Sequence, residues 1–129
     1  MQNQNSKLKT DLKHRAYQYS IKIIEFLDVL PKDVSTGVIT KQLLRSATSI
    51  GANIVEAKGT SSKRDFTNFF SHSLKSANES LYWLGLLRDA KKINSAQLEY
   101  LLDHYCPVIS RIITTGYETE KNRFATDFS

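Results

Sequence analysis

Residues 42–59, QLLRSATSIGANIVEAKG, decide the fold. Leu43, Ala47, Ile50, Ile54 and Ala57 recur at alternating steps of four and three. That spacing stacks them along one side of an α-helix and would scatter them over both faces of a strand. Leu44, Gly51 and Val55 make a second apolar strip beside the first. Between the strips runs a polar line, Arg45, Ser46, Ser49, Asn53 and Glu56. A solvated helix face normally carries Lys and Glu, because Ser, Thr and Asn compete with the helix for backbone hydrogen bonds. A line of small polar residues therefore predicts close contact with another helix, another subunit or a ligand.

Working outward, the same period repeats three more times. A first helix is expected over about 9–30, with Leu12, Ala16, Tyr19, Ile23, Leu27 and Leu30 as its buried seam and Pro31 as its stop. Tyr17, Ile24 and Phe26 widen its apolar surface beyond one stripe. The helix containing the central stretch is expected over 37–58, with Ser35 or Thr36 as its cap and Gly59 as its end. A third helix is expected over 62–89, opened by Ser62 with Asp65 three residues on. Its seam is Phe66, Phe70, Ser73, Ala77, Leu81 and Leu84. A fourth is expected over 95–115, capped by Asn94 with Gln97, faced by Leu98, Leu101, Leu102, Tyr105, Ile109 and Ile112, and kinked at Pro107. Residues 118–129 read as a polar tail. Four amphipathic segments joined by short links predict one all-α domain over 1–129, an antiparallel up-down-up-down four-helix bundle with helices about 30 Å long.

Composition agrees with few, long elements: 129 residues hold only 5 Gly and 2 Pro. A lone cysteine, Cys106, excludes an intramolecular disulfide. No leader or membrane-length apolar run is visible, and the cytoplasm is the expected compartment. The net charge of +5 favours contact with nucleic acid or acidic surfaces, without being diagnostic of either.

Catalytic signatures are missing. His14, His72 and His104 fall on three different expected helices, and His104 and Cys106 stand two apart, on different sides of a helix. No metal site and no cofactor are expected, and no phosphate-cradling glycine motif or nucleophile elbow occurs. The junction 59–64 offers Ser61 and Ser62 ahead of a helix N-terminus with Lys63 and Arg64 beside them, which suits a phosphate; ordinary capping alone explains the serines and is the preferred reading. The polar line is read as structural: Asn53 and Glu56 are expected to hydrogen-bond across to Ser76 and Glu79 and so fix helix register, since two acids would repel phosphate. Leu44, Val55, Tyr82 and Trp83 exceed what one seam needs and are the candidate self-association surface.

RSATSIGANIVEA, then SKRDF, then LKSANESLYWLGLL, resembles the bacterial four-helix-bundle family first named for proteins encoded in intervening sequences of 23S rRNA genes. The family pattern falls on Ser49, Ile50, Asn53, Ile54, Glu56 and Ala57, then Lys63 to Phe66, then Ser76 and Glu79. Lys75–Ser76 stands where many members have Gly-Ser, a departure at a point of close backbone packing. The resemblance implies a bundle assembling as a homo-oligomer, in ring-like relatives a homopentamer. It also implies kinship with accessory proteins of diversity-generating retroelements, which bind nucleic acid and a reverse transcriptase. No catalytic residue is established for the family, so none is carried over. The expectation is a non-enzymatic oligomer that binds RNA or other nucleic acid through Lys13, Arg15, Arg45, Lys58, Lys63, Arg64, Lys75 and Arg88. The alternative is a protein-interaction scaffold whose charge serves only solubility.

Overall fold

A computed structural model describes residues 4–127 of the chain, with side chains described for residues 12–112. Four helices follow one another: α1 (Gln4–Asp28), α2 (Val34–Lys58), α3 (Lys63–Asp89) and α4 (Ser95–Asp127). Among the described residues there is no strand.

Local chemistry sets most helix ends. α2 begins three residues before the expected start at 37, because Asp33 rather than Ser35 or Thr36 is its cap. The Asp33 carboxylate accepts from Thr36 N at 3.3 Å and from the Thr36 and Ser35 hydroxyls at 2.7 and 2.9 Å. A charged acceptor with two oxygens serves several donors at once, which a hydroxyl cannot. Ser62 caps α3 by accepting from Asp65 N at 3.1 Å. Asn94 and Gln97 form a reciprocal capping box ahead of α4, with both bonds at 2.9 Å. Gly59 ends α2 in a right-handed conformation, φ −84°, so its lack of a Cβ is not needed there. The left-handed residue is Lys91, φ 60°, which ends α3 as Lys92 N reaches back to Leu87 O at 2.8 Å.

At the chain ends the expectation needs correction. α1 starts at Gln4, ahead of residue 9, and α4 continues to Asp127 through most of the expected tail. Loss of the apolar period removes the reason for a helix to pack, and it does not break the helix. Residues 1–3 and 128–129 lie outside the described residues.

The core gathers one stripe from each helix. From α1 come Leu12, Ala16, Tyr19, Ile23 and Phe26; from α2 Leu43, Ala47, Ile50, Ile54 and Ala57. α3 gives Phe70, Ala77, Leu84 and Leu87, and α4 gives Leu101, Tyr105, Val108 and Ile112. In α3 the seam runs through Ser73 and Ser80, both fully buried, whereas Leu81, expected inside, is 41% exposed. Ser80 holds the inward position because Ser46 of α2 lies opposite, 2.9 Å between hydroxyl oxygens, and leaves no room for a leucine.

α1 packs on α2 and α4, and α3 on α2 and α4; the α2–α3 contact is the most extensive. Residue numbers rise along α2 as they fall along α3, since Ser46 meets Ser80 and Ile50 meets Ser73. Lys92, after α3, reaches Asp33, before α2, at 3.0 Å and so ties two links together at one end. Tyr19 and Tyr105 meet edge to face, centroids 5.8 Å apart, and join α1 to α4.

Candidate functional site

The small polar residues of α2 do their work on α3. Ser73 Oγ donates to Ile50 O at 2.9 Å, and Ser80 Oγ lies 2.9 Å from both Ser46 Oγ and Ser76 O. Ser46 Oγ donates in turn to Leu43 O at 3.2 Å. These hydroxyls let two backbones approach while keeping buried polar atoms paired. The expected partners differ from those found. Asn53 Nδ2 donates to Ser49 O within its own helix, Ser49 Oγ donates to Arg45 O, and Glu56 is exposed. Glu79 does cross the seam, but to the Arg45 guanidinium. The line Arg45–Ser49–Asn53–Glu56 lies one position toward solvent from Ser46 and Ile50, and from it Arg45 reaches α3 through Glu79 at the exposed rim of the seam.

The candidate cations divide. Lys13, Arg15, Lys58, Lys63, Arg64 and Lys75 are all exposed. Lys58 ends α2 and Lys63 and Arg64 open α3, so the three share one end of the bundle. Lys13 joins that end, because it lines a groove with Val55, one turn short of Lys58. Arg15 stands at the same level on another flank of α1, a heptad before Lys22, which pairs with Glu25 at 3.6 Å. Glu25 first, then Tyr100 of α4, stabilises the Lys22 ammonium and raises its pKa above the ordinary value. Lys75 lies midway along α3. Arg45 is engaged by Glu79, and Arg88 by Asp89 at 2.8 Å. Arg88 holds the Asp89 carboxyl below the usual carboxylate range by hydrogen bond and charge. Both pairs are exposed, and both spend a cation on a local carboxylate.

The apolar candidates divide as well. Leu44 is 38%, Val55 48% and Tyr82 61% exposed. Trp83 is half-buried against the core, its Nε1 buried with no hydrogen-bond partner among the described residues. Tyr82 rests edge to face on the Trp83 ring, centroids 5.0 Å apart.

Between α1 and α2 the surface opens into a groove of about 500 Å3, lined by Lys13, His14, Tyr17, Ser20, Thr48, Gly51, Ala52 and Val55. At its floor a Cβ on Gly51 would stand 3.4 Å from the Ala16 Cβ, so the two backbones pass close. Continuing that register sets Ile24, 45% exposed, level with Leu44. The groove was half legible. Leu44, Gly51 and Val55 form a strip in the sequence, but the tyrosine opposite them, one position off the α1 seam, becomes a wall only when α1 and α2 are juxtaposed. Among the described residues no group of three or more His, Cys, Asp or Glu side chains could hold a metal ion, and no helix is long and apolar enough to cross a membrane.

Comparison with known proteins adds two findings. The model of 23S rRNA-intervening sequence proteins matches residues 9–114. The fold is similar to a protein of unknown function from the S23 ribosomal protein family of Bacteroides thetaiotaomicron VPI-5482, with a TM-score of 0.80 and 33% identity over 85% of this chain and 98% of that one. No curated protein matches.

Proposed function

The chain belongs to the 23S rRNA-intervening sequence protein family, and from that premise we propose a non-enzymatic, homo-oligomeric bundle, its helices running up, down, up and down, that binds RNA through one basic end. The opposed numbering of α2 and α3 and the tie between Asp33 and Lys92 support the helix order. The observation that carries the binding reading is the gathering of Lys13, Lys58, Lys63 and Arg64 at one end, with Arg15 level with them. Such a patch meets phosphates, which supply affinity and little sequence information. Arg45 and Arg88, each held by a carboxylate, and Lys75, away from that end, contribute less. A homo-oligomer, in a ring-like relative a pentamer, would repeat the patch and raise its avidity. The half-exposed strip of Ile24 and Leu44, beyond the groove, is apolar area of the kind subunits cover. The same strip favours the second reading, a scaffold for a protein partner such as a reverse transcriptase.

Titration of a labelled structured RNA and of duplex DNA, followed by anisotropy across a salt series, tests the proposal. Binding should weaken steeply with salt, and Lys63→Ala with Arg64→Ala should lower the slope by about two, roughly one per lost phosphate contact. Absence of binding at low salt overturns it and leaves the scaffold reading. Light scattering of Leu44→Glu tests self-association.

A further inference from the structure

We propose that the groove between α1 and α2 takes an unpaired base of an RNA strand, stacked on Tyr17, with Lys13 and His14 against the adjoining phosphate. The inference rests on the nucleic-acid reading and names the strand form it selects. Tyr17 is 64% exposed while Ala16 and Tyr19, on either side of it in the helix, are buried, so the ring is not used by the core. Across from it Thr48, Gly51 and Ala52 are too small to fill the space, and Val55 forms the far wall. The result is a slot with one aromatic face and an apolar floor, about 500 Å3 in volume, within the range of about 300–1,000 Å3 that holds small ligands.

Its polar groups are graded along its length. Lys13 and His14 lie toward the basic end, where phosphates would sit. About 10 Å further along the helix axis, two turns on, are the hydroxyls of Ser20 and Thr48. Each gives its proton to its own helix, Ser20 to Ala16 O at 3.1 Å and Thr48 to Leu44 O at 2.7 Å, and keeps lone pairs that can accept from an exocyclic amine. Cations beside an aromatic platform are the combination that binds single strands, because every base has a face to stack. In a duplex those faces are covered by neighbouring pairs. The groove therefore selects loops, bulges and ends.

The test compares an RNA hairpin bearing an unpaired loop with a blunt duplex of the same length, by anisotropy at one salt concentration. The wild-type protein should prefer the hairpin. Tyr17→Ala should weaken hairpin binding about five- to a hundredfold and leave duplex binding unchanged, while Tyr17→Phe should retain the preference. Ala52→Gln, which fills the slot without adding charge, should abolish it and guards against a fold defect in the tyrosine variant. Equal binding of both RNAs by Tyr17→Ala and wild type overturns the inference and leaves the basic-end reading standing. Failure of the wild type to bind either RNA overturns both. A drop in particle mass on Tyr17→Ala would assign the groove to a subunit contact and overturn the inference alone.

Discussion

Ser46 and Ile50 face α3 from one flank of α2, and Thr48, Gly51 and Ala52 face α1 from the other. On the α3 flank Ser46 meets Ser80 and the Ile50 carbonyl meets Ser73, and all four residues are buried. On the α1 flank Gly51 touches Ala16 at the floor, but the next residues outward are Lys13 and Tyr17, long side chains that stay in water. A small residue closes a helix seam only where the residue opposite is also small and its polar atoms are matched. Where the opposite residue is long and amphipathic, the same smallness opens a groove. One flank became structure and the other became surface.

The contrast breaks hardest at Ile50. Ile50→Ala removes a fully buried side chain and should cost about 2–5 kcal/mol in urea unfolding. Val55→Ala, on the half-exposed flank, should cost less than about 1 kcal/mol.

Acid should loosen the end where two links meet. The Thr36 hydroxyl, then Lys92, then Ser35 hold the Asp33 carboxyl well below the usual carboxylate range. Its folded pKa is depressed, so its contribution is present above the unfolded value and is lost as pH falls below about 4 toward the folded one. Melting temperature should drop by a few degrees across that window, and Asp33→Asn should flatten the drop.

Ser80→Ala should cost about 1 kcal/mol, and Ser46→Ala together with Ser80→Ala should cost less than the sum, because removing both hydroxyls leaves neither unpaired. Gly51→Ala should go the other way. Its Cβ would meet Ala16 at an ordinary van der Waals distance, 3.4 Å, and the helix should gain about 0.5–1 kcal/mol from lost unfolded-state freedom. Destabilisation there would show that the open flank is packed as tightly as the closed one. The smallest effect belongs to Arg45→Ala. Its pair with Glu79 is exposed on both sides and should be worth less than about 1 kcal/mol, falling further in salt.

Much of this was legible in the chain itself. The seam of α2, Leu43 to Ala57, needed only its period, and the cap at Ser62 and the box at Asn94 needed only their three-residue spacing. Errors arose where a local rule allowed two answers. Leu81 and Ser80 are neighbours near one seam, and hydrophobicity favoured the leucine until Ser46 came to lie opposite. Ser35 or Thr36 is the cap that hydroxyl preference suggests for α2, and Asp33 takes the place instead because Thr36, Ser35 and Lys92 converge on it.

The sequence by itself determined four helices, which face of each is apolar, and the family, because those follow from periodicity, capping residues and a motif written in contiguous stretches. Tertiary structure decided that Arg45 pairs with Glu79, since the two lie far apart along the chain and only the α2–α3 register brings them together. It also decided that Tyr17 faces a slot. A groove is the space between two helices, and its width depends on how closely Ala16 and Gly51 let them approach.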